Sequence, residues 1–478
     1  MVRQREVAML EALRKPLLSA MREASQVASL HGHPVLAVAS IVIPRLDLLS
    51  IFTRYSPYMD VNLWFSFTKR SMLGLGTAFE CIGTGVDRFS FVSDSWHNII
   101  KKSVVNGGTP PVAFGGFRFD TASPMSSMWT GFMDGVLIIP RITILQGEGE
   151  TDCCRIIAAD HVPPKADVTS RIESMLSTWA GLQGDWDMAS ANPESRVAVF
   201  TPEDAKAQWH DLVQAALSSI SRGPIKKIVV ARMIRAKAEV PFFLPNILNR
   251  LCADNPKATI FTFSRKGTYF VGATPEILIT SSAGSFQTMA LAGSAPRSED
   301  PVQDFKYGQQ LLASAKERSE HDFVVQDILR TLKPYCRYII ADNSPALHKL
   351  RKVQHLATFF KGEMLPQKSL LDMISFLHPT PAVGGVPSEP ALTFLREHEG
   401  FDRGWYAGPI GWLDAERNGE FMVALRSGVI QGREAALFAG CGLVADSDSE
   451  KEYQETQLKL LTMLDALCPS QKVESRNI

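Results

Sequence analysis

A chain of 478 residues, 45% hydrophobic and 21% charged, has the make-up of a globular protein of roughly two to four domains or one large fold, which excludes global disorder and collagen-like or fibrous classes. Fifty Lys+Arg balance fifty Asp+Glu, so no bulk field gathers nucleic acid or an anionic membrane, and any bound anion must be held by a local site. Seven scattered cysteines form no CxxC pair, which argues against a zinc ribbon or a disulfide framework and for free thiols in a reducing compartment.

The N-terminal MVRQREVAMLEALRKPLL alternates charged and apolar residues at helical spacing and lacks a signal-peptide core. No run approaches the roughly 18 apolar residues of a membrane span, so a soluble, cytoplasmic protein is expected. Short strands are then predicted at PVLAVASIVI (34–43), NLWFSF (62–67), VAFGGFRF (112–119), GVLIIPRITIL (135–145) and CRIIAA (154–159). Residues 160–205, including the loop-like QGDWDMASANPESR, make the best seam, dividing a strand-rich part, 1–200, from a denser region, 201–470. A helix is expected over 203–221, ending at Gly223-Pro224, followed by strands at KKIVVARMI (226–234), ATIFTFS (258–264) and TYFVGATPEILIT (268–280). One long helix is predicted from about 302 to 334, with Phe305, Leu312, Phe323, Val324, Ile328 and Leu332 as its apolar stripe. A helix over 388–399, three strands (GWYAGPIGWLD, GEFMVALRSGVI, ALFAGCGLVAD) and a last helix over 450–467 complete the chain. Hairpin-like strands and segregated helices favour an α+β fold, largely antiparallel, over a doubly wound one.

Common catalytic signatures are missing. GLGTAF (74–79) lacks the third glycine of a dinucleotide fingerprint, and the chain has no GxxxxGK[ST], HExxH or GxSxG. Other residues can still carry chemistry. Glu452, Glu455 and Lys459 fall on one face of the last helix, beside the stripe Tyr453, Leu460, Met463 and Leu467. Two carboxylates at the core's edge suit a hard cation such as Mg²⁺. Against this, Ser449-x-x-Glu452 reads as a capping box, and Glu455 alone reads as surface. Glu320 lies three and four residues before Phe323 and Val324, near the buried stripe, where a carboxylate needs a partner. The run SAKERSEHDFVV around it also reads as a solvated face.

Lys227 opens the strand KIVVAR. Facing inward it must be paired or have a depressed pKa, as a general base does; facing outward it is an ordinary strand-start lysine. Glu276 follows the apolar TYFVG run and is a candidate general acid or a polar strand residue. LAGSAPR (291–297), HPTPAVGG (378–385) and FAGCGLV put small residues where backbone could approach a ligand, and Arg426 could grip a carboxylate bidentately.

With these residues assembled, the sequence resembles the chorismate-utilising (anthranilate synthase component I-like) enzymes, and among them the isochorismate synthases. The resemblance is carried by KIVVAR, VGATPE, LAGSAPR, SAKERSEHDFVV, VQHLAT, HPTPAVGG, DRGWYAGPIGW, GEFMVALRS, FAGCGLV and EYQETQLKL, in order across about residues 205–467. It implies one large chorismate-binding fold built on two antiparallel sheets with flanking helices. It implies Mg²⁺ held by Glu320, Glu455 and Glu452. It implies substrate held by Lys459, Arg426, His355, Ser294 and the backbone at Gly293 and Gly442. Lys227 would be the base for water attack at C2 and Glu276 the acid for the departing C4 hydroxyl.

Position 227 sets the sequence apart from the aminating, anthranilate-type branch, for which no base lysine is expected there, so no glutaminase subunit is expected. Ala292 stands where aminodeoxychorismate synthases carry a nucleophilic lysine. Salicylate synthases share Lys227 and Glu276 and remain the alternative; the long N-terminal region and DRGWYAGPIGW look more like synthases that stop at isochorismate. A non-catalytic chorismate-binding protein would be expected to lose Lys227 or Glu276. The resemblance favours a monomer and leaves open menaquinone, salicylate or siderophore biosynthesis as the destination of the product.

Overall fold

The structure, a computed structural model, describes residues 2–66, 70–147, 152–181, 197–200 and 204–468. All of the loop-like QGDWDMASANPESR therefore lies outside the described residues. Among the described residues the chain forms a 13-stranded and a 10-stranded sheet, with helices outside them. Strands from both sides of residue 200 enter each sheet. The expected α+β architecture is the one observed. Its strand pairs are antiparallel except Val35–Pro44 with Val104–Asn106, which run parallel.

The sheets face each other across a core rich in large aromatic residues. Phe132 meets Trp405 edge-on at 5.2 Å, and Trp129 stacks on Phe438 at 5.9 Å between ring centres. Such pairs add about 0.5–1.5 kcal/mol beyond their burial. A second apolar layer joins the outer face of the larger sheet to the N-terminal helix Val2–His31, the helix Leu244–Asp254 and the last helix, Ser449–Leu467.

Three departures from the sequence reading matter for the site. The expected strand at 268–280 is two strands in different sheets: Thr268–Thr274 in the larger and Ile277–Ser282 in the smaller. GEFMVALRSGVI likewise splits into Gly419–Val423 in the smaller sheet and Ser427–Gln431 in the larger. An apolar run buried on both faces carries no mark of which sheet it belongs to, so neither crossing is visible in the pattern. Third, the expected long helix is broken. Pro301–Ala313 ends and Ala315–Leu332 begins at Ser314, whose hydroxyl accepts from the Glu317 N–H at 3.3 Å and caps the second helix. Phe305, placed on the stripe, is 64% exposed, and Leu311 takes the buried position.

Candidate active site

The two crossings lie side by side and carry two of the expected site residues. Glu276 follows Pro275 at one, and Arg426 follows Leu425 at the other. The backbone ties them together: Val423 N–H donates to the Glu276 carbonyl at 3.0 Å, and Ala273 N–H to the Arg426 carbonyl at 3.1 Å. Arg426 has a φ of +48°, a left-handed conformation that a non-glycine side chain holds only under tertiary constraint. A cavity opens at this junction. It is lined by both crossings, by Leu291–Ser294, His355, Tyr406, the Phe438–Gly442 stretch, Glu320, Glu455 and Lys459.

Glu276 is 3% exposed. Burial pushes its carboxyl up to about 8, against the pull of Lys227, Lys459 and Arg426, so it is protonated at neutral pH. A protonated carboxylic acid facing a cavity can donate its proton. Arg426 is buried too, which lowers its pKa to about 10 despite Glu455, Tyr406 and Glu276, and it stays cationic. Its guanidinium donates to His355 Nε2 at 3.1 Å. That contact fixes the tautomer: Nδ1 carries the proton and faces the Ser294 hydroxyl at 3.0 Å and the Gly293 carbonyl at 3.3 Å. Burial, then Arg426 and Lys459, hold the His355 pKa well below its ordinary value, so the ring is neutral.

Gly293 sits at a bulge in the strand Ser285–Pro296, with a φ of +79°. The neighbouring Ser294 N–H is already taken, at 3.0 Å, by a Glu317 carboxylate oxygen. Gly442 is needed for space. A Cβ there would stand 2.1 Å from a Glu320 carboxylate oxygen and 2.9 Å from Lys227 Cε.

Lys227 is fully buried and lies one layer behind the cavity wall, with its amine 3.0 Å from Glu320 Oε1. The contact brings opposite charges together without hydrogen-bond geometry, so the amine's donors have no acceptor among the described residues. A buried amine without hydrogen-bond partners is costly and calls for a functional explanation.

The carboxylates expected to hold a cation are neighbours, but each is turned to a lysine. Lys459 Nζ stands 2.6 Å from Glu455, Lys316 Nζ 2.7 Å from Glu452, and Lys227 faces Glu320. Among the described residues no group of three or more His, Cys, Asp or Glu side chains stands close enough to hold a metal ion. The donor chemistry, all carboxylate oxygen, nevertheless fits a hard cation. The carboxylates also sense one another. Burial and the Glu455 charge raise the Glu452 pKa, and for Glu455, Lys459 and Lys316 outweigh burial and lower it.

The capping box expected at Ser449 is not formed. Asp448 caps the last helix, accepting from Lys451 N–H at 3.0 Å, while Ser449 Oγ meets His210 Nδ1 at 2.7 Å. Glu452 is thus free of a capping role. Lys459 faces the cavity and also donates to the Gly440 carbonyl at 2.9 Å. Sequence reasoning missed Lys316 and Tyr406. Lys316 lies inside a charged run, and only its spacing of four residues from Glu320 hinted at a shared face. Tyr406 sits in DRGWYAGPIGW with no polar neighbour in sequence to single it out.

The sequence profile of the family described as chorismate binding enzyme matches residues 21–468. The chain belongs to this family. It is 36% identical over 435 residues to the salicylate biosynthesis isochorismate synthase of Pseudomonas aeruginosa, covering 91% of this chain and 90% of the relative. It is 34% identical over 469 residues to the isochorismate synthase MenF of Bacillus subtilis, covering 95% and 97%. Among solved structures, the putative 2,3-dihydroxybenzoate-specific isochorismate synthase DhbC of Bacillus anthracis matches with a TM-score of 0.69 at 26% identity, covering 88% of this chain and 98% of that one. The menaquinone-specific isochorismate synthase MenF of Escherichia coli shares the fold, with a TM-score of 0.74 over 95% of this chain and all of its own, at 24% identity. No described helix of this family member is long and apolar enough to cross a membrane.

Proposed function

We propose that the chain is an isochorismate synthase, an isomerase that converts chorismate to isochorismate. The observation that carries the reading is a protonated, buried Glu276 on the wall of a cavity that also holds Arg426 and Lys459 and has the buried, unsatisfied Lys227 behind it. Both long curated relatives named above carry the name isochorismate synthase, which supports the same reaction.

The chemistry then follows from the residues. Chorismate is a dianion, and Arg426 and Lys459 offer cationic grips for its carboxylates. Neutral His355 orients Arg426 without adding charge. The Lys227 amine takes a proton from water as the water oxygen bonds to C2 and the ring double bonds shift. The C4–O bond breaks, and Glu276 gives its proton to the leaving hydroxyl, which departs as water. Water enters and water leaves, so substrate and product are isomers, and the proton gained by Lys227 returns to Glu276 through solvent before the next turnover. Lys227 can act only as the neutral amine, once Glu320 has left it. Mg²⁺, held by Glu320, Glu455 and Glu452, would supply positive charge to a substrate carboxylate.

The test is to incubate purified protein with chorismate and Mg²⁺ near neutral pH and follow isochorismate and pyruvate together. Isochorismate without pyruvate, and chorismate regenerated from added isochorismate, is the expected result. Enzyme-dependent, stoichiometric pyruvate with salicylate would establish the salicylate synthase reading instead. Product only in the presence of ammonia would point to the aminating branch, and binding without turnover to a non-catalytic protein.

A further inference from the structure

The strand Lys227–Ala238 has one edge paired from Ile228 to Lys237, against Glu434–Leu443. Its other edge is paired only at its ends among the described residues: Lys227 and Ile228 meet Val386 and Gly385, and Arg235 to Ala238 meet Phe200 to Val197. Between these stretches the edge is met by side chains. Arg403 donates to the Val229 carbonyl at 2.7 Å, and Glu399 accepts from the Ala231 N–H at 2.7 Å. The two side chains are themselves bound as a fork, at 2.7 and 2.6 Å, and are 4% and 3% exposed. A further Arg403 donor reaches the Val383 carbonyl at 2.8 Å, in the segment that also gives the Gly384 carbonyl to Val229 N–H at 2.8 Å. Phe119 covers the guanidinium, 4.3 Å from its ring centre.

We infer that the Glu399–Arg403 pair is a positioning device for the reaction. It replaces the missing piece of strand and locks the Thr380–Val386 segment to the edge that carries Lys227. The argument is geometric. Lys227 is the first residue of this edge, its carbonyl stands 2.4 Å from where a Gly385 Cβ would lie, and its side chain reaches back behind Gly442 toward the cavity. A guanidinium supplies five donors in one plane, and four hydrogen bonds to protein acceptors are counted here. Although Arg403 lines the cavity, four of its five donors are spent on the protein, so it acts chiefly through Lys227 and not on substrate. A lysine at 403 keeps the charge but cannot hold Glu399, Val229 and Val383 together.

This inference rests on Lys227 being the base, so the experiment separates the two. Arg403→Lys and Glu399→Gln are made alone and in a Lys227→Ala background. For each single variant, kcat is expected to fall about 10²-fold, the scale of a misplacement of roughly 1 Å. KM for chorismate should stay within about threefold, and far-UV circular dichroism should be unchanged. In the Lys227→Ala background neither substitution should reduce the residual rate further, since residues acting as a unit are not additive. Hydrogen–deuterium exchange, which needs no turnover, should show faster exchange at the Val229, Ala231 and Val383–Val386 amides in both variants. Unchanged exchange there would overturn the inference, as would a rise in KM without loss of kcat, or a full further loss in the Lys227→Ala background. Variants that exchange faster at these amides, beside a wild-type protein that does not turn over chorismate, would refute the functional reading and leave the clamp standing.

Discussion

Replacing Glu276 by Gln tests the acid through stability as well as rate. Glutamine keeps the shape but does not titrate. In the unfolded chain the carboxyl ionises near 4.5, and in the fold burial holds it up to about 8. Between those values the folded state binds the extra proton, so the wild-type protein loses stability as pH rises, and above about 8 the loss is complete. The interval amounts to about 5 kcal/mol, of which about 4 kcal/mol falls between pH 5 and pH 9. The Glu276→Gln protein escapes this cost. Urea unfolding of both proteins at pH 5 and pH 9 should therefore show the variant gaining about 4 kcal/mol on the wild type, because other titrating groups cancel in the difference. Turnover should move the opposite way, falling by about 10²–10⁴-fold, and wild-type turnover should decline above pH 8 as the acid loses its proton. A stability gap that stays constant within about 1 kcal/mol across this range would refute the reasoning: the carboxyl would then be ionised in the fold and unable to serve as the acid.

Four further outcomes are expected. Lys227→Ala should still bind chorismate, measured by calorimetry, because Arg426 and Lys459 remain; retention of more than about a tenth of wild-type turnover would exclude it as the base. Gly442→Ala should lower kcat by at least about tenfold, since its Cβ would stand 2.1 Å from Glu320 Oε1 and displace Glu320 or Lys227; steady-state kinetics with an unchanged thermal midpoint would separate this from unfolding. Removal of bound metal with excess EDTA should abolish turnover and added Mg²⁺ restore it. Because Asp448 and not Glu452 caps the last helix, Glu452→Ala should lose activity to within about tenfold of Glu455→Ala without fraying the helix, as circular dichroism would show.

Much of the site's chemistry was legible because it is local. The strand opening at Lys227, the helix face shared by Glu455 and Lys459, and the glycine-rich runs follow from spacing, and their order along the chain carried the family resemblance. Less visible was anything that depends on a neighbour remote in sequence. Ser449 and Glu452 satisfy the spacing of a capping box, yet Asp448, one residue earlier, offers its carboxylate to the same turn and wins. Lys316 reads as one charge among several in SAKERSEHDFVV. Only the approach of the last helix turns it from a solvated lysine into the partner of Glu452.

By itself the sequence determined the kind of fold, the places of most strands and helices, and the set of side chains able to carry the reaction. These rest on periodicity, capping and residue chemistry within a few positions. Only the tertiary structure decided that TYFVGATPEILIT and GEFMVALRSGVI each leave one sheet for the other, and that the breaks put Glu276 and Arg426 side by side. It also decided that Lys227 points into the protein and that Glu399 and Arg403 stand in for a missing strand. Burial, and with it the protonation of Glu276, is a property of the packed neighbours, and no window along the chain contains them.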